Sequence, residues 1–414
     1  MSKQAIKDTK ALGGACCACR YKKSMCPPNV DSPNSGPCLR CLKINPALCY
    51  RYSVNDASLY RKQERPYHLF SKRWKSMELV DIQDWVSDKV VTIVVSQVFL
   101  HAPYELKVGR FEPREGDMLE EVWYDGNVKK SFPIPPYAIV NMKEASQAIG
   151  KMTEACQHEY LSAIIQSGNG PRNGDFIWNT FLFAFKHISE IKDEDSQVLL
   201  RQAFRMWQAC RLTSYPEAIV GSETLGLQQR VSDRASPWTN QFPIPPVMCA
   251  QLECILYSQF LEPWSKQIRT LLDKVLRKGS RTDWLSVYLT LFILLHSCGL
   301  LIERDYKYAR QLGLKERYAN PSAVMDHQRG AITLLAHFHI VLDGARPFRL
   351  AAQGLATSKK QQEFTPREQV FVASTYEKVR MMDFSTIRQV GDPKNVWYWL
   401  SQLYDEKWEP DKMG

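Results

Sequence analysis

Seven of the twelve cysteines fall between positions 16 and 49. With Cys17 set aside, Cys16, Cys19, Cys26, Cys38, Cys41 and Cys49 follow the spacing C-x2-C-x6-C-x11-C-x2-C-x7-C. A CxxC pair on one turn of helix brings two sulfurs to the same side, because residues three apart are neighbours there. Zinc takes four tetrahedral ligands, mostly thiolate in structural sites. Six cysteines therefore fill two such sites only by sharing two sulfurs. Six thiolates around two zinc ions carry a charge of about −2, which adjacent Lys and Arg offset. The two halves repeat: ACCACRYK and GPCLRCLK each begin with a CxxC pair and run on into basic residues.

This spacing, with the runs Cys19-Arg20-Tyr21-Lys22-Lys23-Ser24-Met25-Cys26 and Pro37-Cys38-Leu39-Arg40-Cys41-Leu42-Lys43, resembles the fungal-type zinc binuclear cluster transcription factors. The resemblance covers roughly the first 55 residues. It implies two zinc ions, bridged by Cys16 and Cys38, with Cys19 and Cys26 completing one site and Cys41 and Cys49 the other. Cys17 is then the odd thiol. It also implies that the first short helix enters the major groove and reads a CGG-type triplet through Lys22 and Lys23, with Arg20 and Lys43 on flanking phosphates. A lysine ammonium can donate to guanine O6 and N7, while phosphate contacts position the protein without reading sequence. Met25 departs from the family, which usually has a basic residue there, so weaker and less salt-sensitive binding is expected. Treble-clef and RING-like zinc modules usually include His, and none occurs before His68.

Charge agrees with an anion-binding arm. Residues 1–75 hold 15 Lys and Arg against 4 Asp and Glu, while the rest of the chain holds 39 against 40. A solvated basic tail or a nuclear import signal would look the same by charge alone. The segment MSKQAIKDTKALGG has no apolar run, so neither a secretory signal nor a transit peptide is expected. The chain is read as intracellular, where thiols stay reduced.

Around these residues the chain divides into a basic tail (1–14), the zinc binuclear cluster DNA-binding domain with two short metal-organised helices (15–52), and a basic and aromatic linker (53–86). A small β-rich unit (87–140) and a large, mainly α-helical regulatory domain (141–414) follow. In the linker Arg61, Lys62, Arg65, Lys72, Arg73 and Lys75 alternate with Tyr60, Tyr67, Phe70 and Trp74. They either track DNA or dock the linker on the next domain. No a/d repeat is present and Pro66 interrupts any helix, so a dimerising coiled coil is not expected here. KVVTIVVSQVF, YELKVGRF and EEVWYDGNVKKSF read as strands, the last as a hairpin about Asp125-Gly126.

FPIPP occurs at 132–136 and 242–246 and reads as a stiff approach into a helix. Apolar residues at three and four spacing mark amphipathic helices from about 141 onward. Residues 284–302 contain no Asp, Glu, Lys or Arg, enough for a membrane span. An apolar helix at the centre of a bundle has the same composition. That is the reading taken, with no membrane partner.

His158-Glu159 begins HExxH but Ser162 replaces the second ligand, and Gly221 to Gly226 lacks the lysine of a phosphate loop. His187, His296, His337 and His339 sit in apolar surroundings and read as core histidines. The sum is a nuclear, sequence-specific DNA-binding transcription regulator with two zinc ions, not an enzyme. Its partners are double-stranded DNA with a CGG-type half-site and, through the helical domain, the transcription machinery or a small-molecule effector. Two readings compete: a nuclear interaction protein that keeps the cluster but has lost specific DNA binding, and an enzyme with the finger as a targeting arm.

Overall fold

A computed structural model of the chain describes residues 7, 14–29, 36–63, 66–67, 69–97, 102–125, 128–167, 174–228, 236, 238–279, 283–311, 313–354 and 364–410. Most of the basic tail, residues 30–35 of the inter-half loop, Arg65 and Gly126 of the hairpin turn lie outside the described residues. The chain opens with α1 (Cys17–Tyr21) and α2 (Leu39–Ile44), then β1 (Trp85–Gln97), β2 (Tyr104–Phe111), β3 (Glu120–Asp125), β4 (Val128–Pro133) and β5 (Tyr137–Ile139). Next come α3 (Met142–Ala155), α4 (Gln157–Ser167), α5 (Gly174–His187), α6 (Glu194–Leu212), β6 (Glu217–Ile219), β7 (Phe242–Pro243) and α7 (Pro246–Ile255). A wider π-helical stretch, Leu256–Leu261, leads into α8 (Glu262–Arg277). The remainder is helical: α9 (Trp284–Gln311), α10 (Pro321–Val341), α11 (Arg346–Ala352), α12 (Pro366–Arg380), α13 (Phe384–Val390) and α14 (Val396–Gln402). The chain forms two compact units.

One unit comprises 62–178 and 205–264. Its antiparallel sheet has the order β5-β2-β1-β6-β7, and β3 pairs with β4 separately. β1 and β2 place Ile93 opposite Leu106 and Val95 opposite Tyr104, so alternate residues point into the core. The buried Gln251 side chain on α7 closes the β5 edge, accepting from Ile139 N (2.7 Å) and donating to Ile139 O (2.9 Å). Here the linker cation Arg73 is neutralised. It donates to both Asp117 (2.9 Å) and Asp84 (2.8 Å), and Trp74 donates to Val80 O. Those two residues take the docking reading, not the DNA-tracking one. The first FPIPP runs into strand β5, not directly into a helix, because Tyr137–Ile139 pairs with β2. In the second, Pro246 opens α7, where its missing N–H has no intrahelical partner to lose.

Glu217 on β6 lies opposite Gln97 on β1. It is buried and accepts from the Tyr104 hydroxyl. Burial pushes its carboxyl up to about 7 from the ordinary 4.5, against the pull of the Tyr104 bond. An acid raised in the fold stabilises fully below its unfolded value and loses that stability as pH rises through its folded one. On the order of 3 kcal/mol should therefore be lost between pH 4.5 and pH 8. Urea midpoints across that range should fall, and Glu217→Gln should flatten the fall; an unchanged slope in the variant would assign the effect elsewhere.

The other unit comprises 1–61, 179–204 and 265–414. Its axis is α9, whose Val287, Tyr288, Leu289, Phe292, Ile293 and Leu295 are fully buried. Among the described residues α9 is the one helix long and apolar enough to cross a membrane, and it serves as the core of this unit. Trp284 stacks on Tyr288, which shares a 2.7 Å hydrogen bond with Tyr404. Asn320 caps α10 by accepting from Ala323 N (3.0 Å), with Pro321 in the first turn. Thr365 and Glu368 form a reciprocal capping box on α12.

Candidate metal centre

The cysteine segment repeats in space as it does in sequence. Cys16 and Cys38 each stand in extended backbone as the residue before a short helix, with φ, ψ of −60°, 159° and −63°, 154°. Each places the second cysteine of its CxxC pair one turn on. The third cysteine of each half folds back onto the first: Cys16 N donates to Cys26 Sγ (3.5 Å) and Cys38 N to Cys49 Sγ (3.2 Å). The rule is local. A helix turn sets the pair, and a return of the chain delivers the third sulfur to a backbone N–H.

Cys16, Cys19, Cys38 and Cys41 are buried, and their sulfurs all lie within 4.8 Å of one another, so they could hold a metal ion. Cys16 Sγ is 3.7 Å from Cys41 Sγ, and Cys19 Sγ is 3.8 Å from Cys38 Sγ. A tetrahedron with Zn–S of about 2.3 Å has an S–S edge of about 3.8 Å, so these separations fit thiolate-bound zinc. Cys16 also hydrogen bonds with Cys26 and Cys49. Cys26 is held down at about 5 and Cys49 at about 6, in each case mainly because Cys16 donates to the thiolate. Those hydrogen bonds, then burial, raise Cys16; burial raises Cys38 and Cys41. Protons and metal compete for these sulfurs, so metal retention weakens as pH falls. Cys17 is different. It is 1% exposed, and burial pushes its thiol up to about 12, which keeps it protonated and inert as a ligand.

Two cations beside the sulfurs had not been singled out in the sequence. Arg40 Nη1 lies 3.8 Å from Cys19 Sγ, and Arg51 Nη1 lies 3.9 Å from Cys26 Sγ while donating to Gly14 O (3.0 Å). Arg40 sits inside the second CxxC pair and Arg51 two residues past the last cysteine, so closeness in the chain was the available signal. Lys22 and Lys23 follow α1 directly and are exposed, Arg20 in its last turn is half-buried, and Lys43 in the last turn of α2 is exposed. Lys23 adopts φ +49°, the left-handed region, and ends the helix. Met25 is 65% exposed. Arg20, Lys22, Lys23 and Met25 bring three cations and one apolar side chain to the end of the first arm, and Lys43 stands on the second.

The module is anchored within its unit by tyrosines that sequence reading passed over. Tyr21 Oη donates to Asp273 (2.7 Å), and its ring meets His337 edge-on at 5.5 Å. Tyr50 Oη and Thr333 Oγ1 are 2.8 Å apart. Burial lowers His337 to about 4, and its Nδ1–H donates to Thr333 O (2.7 Å). It is a neutral core histidine. His187 and His296 are likewise buried.

The family described as KpeA transcription factor matches residues 61–403. A curated relative, the satratoxin biosynthesis SC3 cluster transcription factor SAT20 of Stachybotrys chartarum (strain CBS 109288 / IBT 7711), is 22% identical over 384 residues. That alignment covers 87% of this chain and 50% of the relative, so the chain spans about half the length of the curated protein it matches. No solved structure matches the chain. The family match starts at Arg61, beyond the last cysteine of the cluster.

Proposed function

From the premise that this chain belongs to the KpeA transcription factor family, we propose that it is a nuclear, sequence-specific DNA-binding regulator whose six-cysteine module holds two zinc ions and reads a CGG-type triplet. Zinc supplies structure here: it fixes the fold of a segment too short to build a core of its own. Cys16 and Cys38 are the bridging thiolates by the resemblance of the six-cysteine spacing, and both sulfurs belong to the close group of four. Cys19 and Cys26 complete one site, Cys41 and Cys49 the other. Arg40 and Arg51 offset the excess thiolate charge.

The observation that carries the reading is the exposed Lys22-Lys23 pair at the end of a helix whose other end is tied into the cysteine cluster. A rigid stub with two exposed ammonium groups suits guanine O6 and N7 in the major groove. Arg20 and Lys43, one on each arm, fit flanking phosphates. The helical body regulates, through the transcription machinery or a small effector.

Lys23→Ala keeps the Cβ and the backbone strain at φ +49° and removes the side chain beyond it, ammonium included. It should cost about 1–3 kcal/mol on a CGG duplex and flatten the preference over a scrambled one, whereas Arg20→Ala should weaken all duplexes alike. Titration of both variants at fixed salt checks this. A Lys23→Ala protein that still prefers CGG overturns the base-reading assignment. The exposed Met25 favours one competitor, an interaction protein without specific DNA binding. Equal affinity of the unaltered protein for both duplexes would select it.

A further inference from the structure

Tyr21 stands between Arg20 and Lys22, and its side chain is held by the helical part of its own unit. Its hydroxyl donates to Asp273 on α8 at 2.7 Å, and its ring sits edge-on to His337 on α10. Arg277 lies 5.9 Å from the ring and donates to the same Asp273 at 2.7 Å. Burial opposes ionisation of Asp273, but hydrogen bonds from Arg277 and Tyr21 hold its carboxyl below the usual range. The charge of Arg20 also acts on both Tyr21 and Asp273, so its guanidinium lies near this contact.

Consecutive Cα atoms are about 3.8 Å apart, and the major groove is about 12 Å wide. A tip that sets Lys22 and Lys23 on base edges therefore carries Tyr21, and whatever Tyr21 holds, to the mouth of the groove between two phosphate rows. There Asp273 would face phosphate at the place Arg20 would occupy. Helix α8, which Tyr21 holds there through Asp273, would then occupy the room that the phosphate row needs.

We propose that the Tyr21–Asp273 contact is autoinhibitory: it docks the reading tip on α8, and DNA takes the tip when the contact opens. The inference rests on the DNA-reading assignment of Lys22 and Lys23. Apparent affinity then falls by the fraction of molecules in which the contact is open.

The test uses the full-length, zinc-loaded protein, with zinc content measured for each variant. Tyr21→Phe deletes the hydroxyl without changing charge. It should tighten binding about tenfold or more on both CGG and scrambled duplexes, the effect of losing one charge-assisted hydrogen bond that favours the closed form. Asp273→Asn, distant in sequence from the cysteines of the cluster, should tighten it at least as much. Wild-type or weaker affinity in both variants with zinc intact overturns the inference and leaves the DNA-reading assignment standing. Failure of wild type and variants alike to bind either duplex overturns that assignment, and the inference with it.

Discussion

Cys38→Ala should strip the protein of both proposed zinc ions and unfold residues 15–52. Cys38 precedes α2, its sulfur lies 3.8 Å from Cys19 Sγ in the first half, and its backbone N–H donates to Cys49 in the second. Its sulfur also accepts from Cys41 N in the second half at 3.4 Å, so it touches both halves. In the proposed arrangement each zinc loses a ligand at once, and neither half has a spare thiolate. Structural zinc contributes about 10–16 kcal/mol of apparent binding free energy to small modules, far more than a segment of this size gains from its core. Cys17→Ala is the control. Its thiol is buried, protonated and absent from the close group of four sulfurs, so metal content should be unchanged and the cost that of one small buried side chain. Elemental analysis of the purified variants checks both. Full metal content after Cys38→Ala, or half after Cys17→Ala, would overturn the ligand assignment.

Gly330→Ala should be strongly destabilising. Gly330 lies on α10 where the stretch after the metal module crosses it, and a Cβ there would fall 2.5 Å from Ser58 O and 2.9 Å from Ser58 N. Both atoms are backbone, so no side-chain tip can swing away. The segment must lift off α10, loosening the support beneath Tyr50 and its bond to Thr333. Overpacking of this kind costs about 1–3 kcal/mol, and the upper end is expected where backbone meets backbone. Gly150→Ala on α3 is the comparison: its nearest neighbour is the Phe260 ring at 3.8 Å, so helix propensity should make it neutral or mildly stabilising. Chemical denaturation midpoints should separate the two. Equal midpoints would show that the crossing at Ser58 adjusts freely.

The sequence determined the parts whose physics is local. Thiol spacing was legible because a helical turn and a chain return suffice to gather sulfurs, whatever surrounds them. β1, β2 and the β3–β4 pair were legible because alternation and a turn residue fix a strand's faces. The apolar run of α9 was legible as a helix by length and composition, which suit a membrane span equally well, and its burial in the fold made it a core helix. Tertiary structure decided the rest. β6 and β7 span three and two residues, too few for any period, and they exist because β1 offers a free edge for β6 to extend and β6 one for β7. Arg73 looked like one more basic linker residue until Asp84 and Asp117 came to it from later in the chain. Tyr21 carries no local sign of its role, because a tyrosine within a basic run is the same residue whether it faces water or a carboxylate 252 positions away. Hydrogen bonds across such separations follow from how helices pack, and packing depends on side chains that no short window of sequence contains.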